Sequence, residues 1–333
     1  MSETNQQIRL VARPSGTPEP SVWDLTTEPV PTPGKGEFVV QISHISVDPA
    51  MRGWMNDMPS YIPPVELGAV MRAGAVGRVT ASEHPEFEEG EHVYGAFGVQ
   101  EFALSDGAGV MKIDPSLAPL PTYLGALGLT GLTAYFGLLD VGKLKEGETV
   151  VVSGAAGAVG SIVGQIAKLK GCRAVGIAGG EEKCEWITEE LGFDGAIDYK
   201  QGDIRRLLRE LTPDRIDVYF DNVGGEVLDA ALTRLARGAR IVLCGGISQY
   251  NAQRPSGPSN YLAMIAARAT MTGFLVFDFA DRYPEAITEL AGWLSDGKLV
   301  SREWIVDGGV PVFPETLLKL FEGENTGKLV IAV

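Results

Sequence analysis

The sequence predicts an α/β chain in which a barrel-like β domain precedes a doubly wound parallel sheet of six strands. Three observations predict it. Residues 148–170 read as strand, glycine turn and helix: Thr149, Val150, Val151 and Val152 form a β-branched run, Gly154, Gly157 and Gly160 follow at once, and Val159, Ile162, Val163 and Ile166 recur at helical spacing. Strands and helices alternate from Tyr123 onward. Residues 1–122 break into short apolar or alternating runs separated by Gly, Pro and Asp.

In the first domain the expected strands are 8–12, 38–47, 68–80, 92–98 and 110–113, with turns at Pro31-Thr32-Pro33-Gly34 and Glu89-Gly90-Glu91. The pattern breaks into loop at Val47-Asp48-Pro49-Ala50-Met51-Arg52, followed by Trp54, Met55, Met58 and Tyr61. Such an apolar, methionine-rich loop either lines a pocket or covers the core, and the residues leave both readings open. Residues 115–139 carry no charge and are long enough to span a bilayer. Pro115, Pro119 and Pro121 interrupt the first part and Gly125, Gly128, Gly131 and Gly137 the rest, so a closely packed internal helix is expected.

In the second domain, strands are expected at 173–178, 196–198, 216–220, 239–243 and 271–276, after the one at 149–152. Helices are expected at 181–191, 204–211, 284–294 and through Val227, Leu228, Ala231, Leu232 and Leu235. The tail reads as strand again at 300–306 and 329–333 and returns to the first domain. The expected boundaries are therefore 1–123 completed by 298–333, and 124–297.

With 43 acidic and 28 basic side chains the net charge is −15. That repels nucleic-acid phosphates and anionic membranes, so neither is an expected partner. The three cysteines, Cys172, Cys184 and Cys244, form no CxxC pair, and His44, His84 and His92 show no ligand spacing with them. No metal site is expected, and a reducing cytoplasm is the expected location. The opening residues MSETNQQIRL have no apolar signal core.

Ligands of a doubly wound sheet bind at the carboxyl ends of its strands. Those ends carry Gly157-Ala158-Val159-Gly160, Asn222-Val223-Gly224-Gly225 and Cys244-Gly245-Gly246. Small residues at three strand ends leave room for a long ligand. Glycine lets a phosphate reach the N–H groups that open a helix, and the helix dipole adds to the attraction. Measured against G-x-G-x-x-G, the chain has Ala155 in the place of the first glycine. The second strand ends Ile177-Ala178-Gly179-Gly180 without the acid that would accept a ribose 2′-hydroxyl, and Lys183 follows, suited to a 2′-phosphate. Glu181 and Glu182 would oppose a phosphate if they faced it, or they serve the helix dipole.

The segments SGAAGAVGSIVGQIAKLKG, EEKC, LGFDGAIDYK, FDNVGGE, CGGISQYN and GLTAYFGLLDVG resemble the medium-chain dehydrogenase/reductase superfamily. More closely they resemble its zinc-free branch of leukotriene B4 12-hydroxydehydrogenase/prostaglandin reductases, alkenal double-bond reductases and curcumin-reductase-like enzymes. The resemblance runs from about Ser46 to the end. It implies a GroES-like β-barrel catalytic domain, a Rossmann domain, a homodimer, and NADPH-dependent reduction of the carbon–carbon double bond of α,β-unsaturated ketones or aldehydes. Zinc-binding members carry Gly-His-Glu where this chain has Glu66-Leu67-Gly68-Ala69, so no zinc is implied.

Carried over residue by residue, the resemblance puts the pyrophosphate on Gly157, Ala158, Val159 and Gly160 and the 2′-phosphate on Lys183 and Tyr199. It puts Asn222, Cys244, Gly245, Gly246, Ile247, Ser248, Tyr250, Phe274, Leu275, Val276 and Asn325 on the cofactor. Tyr250 is the expected catalytic residue. Hydride addition to the β-carbon places charge on the carbonyl oxygen, and a neutral donor aimed there stabilises it. A phenol stays protonated at neutral pH. Relatives commonly read Asp-Pro-Tyr-Met-Arg where this chain has Asp48-Pro49-Ala50-Met51-Arg52, so the substrate range does not carry over. An NADPH quinone oxidoreductase and a non-catalytic NADPH-binding sensor are the alternative readings.

Overall fold

The computed structural model describes residues 4–333. They form two compact units, one of the residues up to Leu124 with Glu303–Val333 and one of Gly125–Arg302.

The first unit opens with an antiparallel ribbon of β1 (Thr4–Leu10) and β2 (Trp23–Pro29). Then come β3 (Phe38–Ser46), a short helix α1 (Met51–Trp54), β4 (Ala75–Ser82), β5 (His92–Gly95), β6 (Phe102–Ser105) and β7 (Met111–Ile113). β2 and β6 are not among the strands the sequence predicts. β2, WDLTTEP, is largely exposed and has no apolar alternation; it exists because it pairs with β1. The strand expected at 68–80 begins only at Ala75, and Val70 joins Arg9 through an isolated bridge. Met51 and Met55 are buried in the core of this unit, whereas Met58 and Tyr61 are exposed, so the methionine-rich loop divides between the two readings.

The second unit contains α2 (Leu129–Phe136), β8 (Thr149–Ser153), α3 (Gly160–Leu169), β9 (Arg173–Ala178), α4 (Glu181–Glu185), β10 (Gly195–Asp198) and α5 (Ile204–Leu211). β11 (Ile216–Asp221), α6 (Gly225–Leu232), β12 (Leu235–Leu243), α7 (Ala263–Ala267), β13 (Thr270–Gly273) and α8 (Tyr283–Ser295) complete it. Its six strands are parallel in the order β10-β9-β8-β11-β12-β13. β8 lies in the middle, and its valines are wholly buried, as a strand covered on both faces requires. The direction of winding reverses between β8 and β11, which is where such a sheet opens a crevice.

Three expected bounds shift here. Leu235 opens β12 rather than closing the preceding helix, and β11 and β12 change register beside it. The last strand stops at Gly273. The uncharged stretch 115–139 gives a short turn at Leu120–Tyr123 and then α2, which runs on as a wider turn over Gly137–Val141. α2 packs closely: a Cβ at Gly131 would lie 1.8 Å from the Ala126 carbonyl oxygen. Among the described residues no helix is long and apolar enough to cross a membrane.

The tail holds β14 (Glu303–Val306), α9 (Phe313–Glu322) and β15 (Lys328–Ala332). The strand expected at 300–306 begins at Glu303. α9 was not predicted, although Phe313, Leu317 and Leu320 recur at helical spacing and are buried. β15 pairs with β3, giving the order β14-β15-β3-β4-β5-β7 with β6 on the other side of β3. Lys328 on β15 is only 3% exposed. Its ammonium donates to the carbonyls of Val47 (2.8 Å) and Leu329 (2.9 Å) and lies 3.2 Å from Asp48 Oδ1. Ser46 Oγ donates to the other oxygen of Asp48. Burial pushes the Lys328 pKa down, and Asp48 offsets part of that.

Candidate active site

The carboxyl ends of β8, β9, β11 and β12 form one edge of the parallel sheet. At the end of β8 the chain turns through Gly154, whose φ of +61° is the left-handed conformation that glycine adopts at least cost. This explains how alanine is tolerated next. Ala155 is fully buried, its N–H donates to Ile177 O at 3.0 Å, and its methyl faces Gly176 in the sheet rather than the turn. The tight-turn role has moved one residue upstream. α3 begins at Gly160, where a Cβ would meet the Gly154 carbonyl oxygen at 2.3 Å. A Cβ at Gly157 would approach the same oxygen to 3.2 Å. The glycines thus keep the opening turn of a ten-residue helix bare, the arrangement that receives a phosphate.

At the end of β9, Gly180 has φ +100° and donates to Asp198 Oδ1 at 2.9 Å. Lys200 N–H donates to the same oxygen at 2.9 Å, and Tyr199 N–H to Ala178 O at 3.1 Å. These bonds lay the Tyr199 ring over the turn, 2.7 Å from where a Cβ at Gly179 would stand. On α4, Glu181 and Glu182 are exposed and Lys183 is half-buried, so the acids turn outward. Burial, with Asp198 adding, pushes the Cys184 thiol up to about 11.

The ends of β11 and β12 are joined by hydrogen bonds. Cys244 and Gly245 N–H donate to Asp221 O at 2.9 and 3.0 Å, Ile247 N–H to Asn222 O at 3.1 Å and Ser248 N–H to Val223 O at 3.2 Å. Asn222 Nδ2 donates to Ser153 O at 2.7 Å, which ties this pair to β8 across the switch point. Tyr250 folds back over the turn: Gly246 N–H donates to its hydroxyl at 3.1 Å, and a Cβ at Gly245 would stand 3.0 Å from that oxygen. A side chain there would have to push the Tyr250 hydroxyl aside.

The sequence-predicted residues on β8, β9, β11 and β12 therefore share one edge of one sheet. Phe274, Leu275 and Val276 follow β13; Phe274 meets Phe220 edge-on at 6.4 Å, and Val276 is buried. Asn325 lies in the other unit, between α9 and β15, where its Nδ2 donates to Gly327 O at 2.9 Å.

Three residues at this edge went unnoticed in the sequence. Asp221, at the end of β11, is 1% exposed. Its Oδ1 accepts from Ser153 Oγ (2.8 Å), Tyr219 OH (3.1 Å), Val223 N–H (3.1 Å) and Gly224 N–H (3.0 Å). Ser153 Oγ in turn accepts from Asn222 N–H at 2.9 Å. Burial, followed by the Asp221 charge, pushes the Cys244 thiol up to about 12 and the Tyr219 phenol well above its ordinary value. A charged residue closing the apolar run Val218-Tyr219-Phe220 was the signal available.

Residues 6–113 match the family described as the N-terminal domain of oxidoreductases, and residues 158–292 the one described as zinc-binding dehydrogenase. The NADPH-dependent curcumin reductase of Escherichia coli is 43% identical over 99% of this chain and 97% of its own. The chain belongs to the medium-chain dehydrogenase/reductases, in their zinc-independent branch. An NADP-dependent 2-alkenal reductase of Nicotiana tabacum is 38% identical over 99% of this chain and 98% of its own. The crystal structure of CurA from Vibrio vulnificus in complex with NADPH superposes with a TM-score of 0.93 at 45% identity, covering 98% of this chain and 99% of that one. The fold is thus that of the family, a GroES-like sheet unit and a Rossmann unit. Among the described residues no three His, Cys, Asp or Glu side chains gather as a metal site.

Proposed function

We propose that this protein is an NADPH-dependent reductase of the carbon–carbon double bond of α,β-unsaturated ketones and aldehydes. The observation that carries the reading is the shared sheet edge: a bare glycine turn at the start of α3 and a tyrosine hydroxyl held over Gly245 and Gly246 flank one switch point. The residues fit a dinucleotide, because a side chain on Gly160 would collide with the Gly154 carbonyl, and Gly157, Gly179 and Gly245 leave their turns bare. Relatives named for NADPH-dependent reduction of curcumin and of 2-alkenals support the substrate class.

When bound, the dihydronicotinamide supplies the hydride. The chain's residues do the rest. Gly157, Ala158, Val159 and Gly160 hold the pyrophosphate at the α3 N-terminus, where the dipole favours anions. Lys183 and Tyr199 take the adenosine 2′-phosphate. Asn222, Cys244, Gly245, Gly246, Ile247 and Ser248 wall the nicotinamide half, with Phe274, Leu275 and Val276 as further contacts. Tyr250 donates to the carbonyl oxygen as hydride reaches the β-carbon, which stabilises the enolate until a proton reaches the α-carbon. The unit of Gly125–Arg302 is the nucleotide domain and the other unit the catalytic domain.

The test is loss of NADPH absorbance with a 2-alkenal, an open-chain enone, a quinone and a saturated aldehyde, each repeated with NADH. Turnover of alkenal or enone with the saturated aldehyde inert is expected. Turnover of the quinone alone would reassign the protein to quinone reduction, and silence throughout would leave a nucleotide-binding sensor. Lys183→Ala should abolish the preference for NADPH over NADH, and Tyr250→Phe should lower kcat on the order of tenfold to a hundredfold. Wild-type values in either variant would remove that assignment.

The reading extends to a cytoplasmic homodimer. The three cysteines are free thiols, as a reducing compartment keeps them. β13 is an edge strand, and nearby on α7 and just before it Leu262 and Ile265 are 61% and 73% exposed. Light scattering at micromolar concentration tests the dimer.

A further inference from the structure

Buried charges in proteins are normally paired with an opposite charge. Asp221 is not. Among the described residues it has no ion-pair partner, one of its oxygens accepts from four neutral groups, and the other is buried without any hydrogen bond. Every neighbour the structure gives it is uncharged: the Ser153 hydroxyl, the Tyr219 phenol, the backbone N–H groups of Val223 and Gly224 just before α6, and the Cys244 thiol just after β12. It sits at the end of β11, beside the switch point.

The sheet order says which half of a dinucleotide lies over it. The pyrophosphate belongs at the start of α3 and the adenosine half over β9 and β10, the side of the second strand. The other half then extends over β11 and β12, whose ends are Asp221 and Cys244. The ring on that half is neutral in the reduced cofactor and cationic in the oxidised one. A carboxylate with no cation of its own, under a ligand that becomes cationic as it reacts, is matched to the product state of that ligand.

We infer that Asp221 is a positioning residue of the cofactor site whose buried charge selectively stabilises the oxidised, cationic nicotinamide, and so favours departure of the hydride. The inference rests on the proposed function above. Asp221 touches neither substrate nor reacting atoms. It acts through the field of its charge and through Ser153, Asn222 and Gly245, which it holds. Its unpartnered oxygen makes a clean test possible. In Asp221→Asn the oxygen bound by four donors can remain, the amide nitrogen takes the place of the unpartnered one, and only the charge is lost.

The experiment is equilibrium binding of NADPH, followed by its fluorescence, and of NADP+ by competition, in the wild type and in Asp221→Asn, with folding checked by thermal melting. The ratio of Kd for NADP+ to Kd for NADPH should rise on the order of tenfold in the variant, as expected for loss of one poorly screened unit charge. Ser153→Ala and Tyr219→Phe keep the charge and should weaken both forms alike, leaving the ratio unchanged. A folded Asp221→Asn with the wild-type ratio would overturn the inference while leaving the proposed function standing. If neither nucleotide binds the wild type, the proposed function itself fails. If Asp221→Asn does not fold, the wild type still decides: affinity for NADP+ equal to or tighter than that for NADPH supports the inference, and affinity tenfold or more weaker overturns it.

Discussion

Two carboxylates sit in corresponding roles in the two units, each where a loop leaves a central strand. Asp48 follows β3 and faces the Lys328 ammonium, whose donors are shared among Asp48 and two carbonyls. Asp221 ends β11, is more deeply buried, and has four neutral donors and, among the described residues, no cation. Both fix a turn. Asp48 O also accepts the Met51 N–H that begins α1, much as the Asp221 side chain accepts the N–H groups that begin α6. The difference lies in what completes the charge. The first site is complete within the chain and reads as architecture. The second has no cation among the described residues, which is what the inference above builds on.

The largest effect that would break this comparison is on the paired site. Lys328→Met removes the only cation beside Asp48 among the described residues and takes a donor from the Val47 and Leu329 carbonyls, of which Leu329 O keeps the Val47 N–H. Because Asp48 is partly exposed, the expected cost is about 2–4 kcal/mol of stability rather than the full penalty of a buried pair. Urea unfolding would measure it. A loss well below 1 kcal/mol would mean that the pair is not structural.

Gly160→Ala sharpens the contrast from the other unit. Its methyl must move the Gly154 carbonyl, which is backbone and yields poorly. Weakening of NADPH binding on the order of tenfold is expected, about the value of one charge-assisted hydrogen bond. Titration of NADPH fluorescence reads it directly, and unchanged affinity would remove the α3 turn from the phosphate site.

Ser153→Ala should cost about 1 kcal/mol, since Asp221 keeps three other donors while Asn222 N–H loses its acceptor. A cost as large as that of Lys328→Met would show that the unpaired site carries as much of the stability as the paired one.

At neutral pH the thiol beside Asp221 has no effect, and what is expected of it is a slope at alkaline pH. Burial and Asp221 hold the Cys244 pKa near 12 in the folded chain against about 9 when unfolded. A group raised in the fold contributes stability that is complete below its unfolded pKa and is lost as pH rises toward the folded one. Stability should therefore fall between pH 9 and 12 through this thiol, and Cys244→Ala should flatten that fall. Urea midpoints at pH 8, 9 and 10 for both proteins test it. The same shift predicts that iodoacetamide at pH 8 labels Cys244 at least about tenfold more slowly in native than in unfolded protein.

Much of this was legible in the sequence, because periodicity and glycine placement are local properties. The valine-rich strand β8, the bounds of β9 and α5, and the three glycine-bearing strand ends follow from burial on both faces and from helical spacing. Where an element owes its existence to a distant partner, local pattern was silent or misleading. β2 is polar and is a strand only because β1 pairs with it. Leu235 fits the helical spacing before it, yet it pairs with Ile216. Ala155 looked like a broken motif until the left-handed turn was found at Gly154 and its methyl against Gly176.

The sequence by itself determined the class of fold and the strand ends that carry small residues, since each depends on residue type and short spacing, and its resemblance to the family supplied Tyr250 as the donor candidate. Tertiary structure decided the rest. It set the order of the strands, and with it the switch point that selects two of the six strand ends. It brought Asp221 to Ser153, 68 residues away in the chain, and Lys328 to Asp48 across almost its whole length. Whether a buried carboxylate is paired depends on which distant strand lies beside it, and that pairing is absent from any local stretch of sequence.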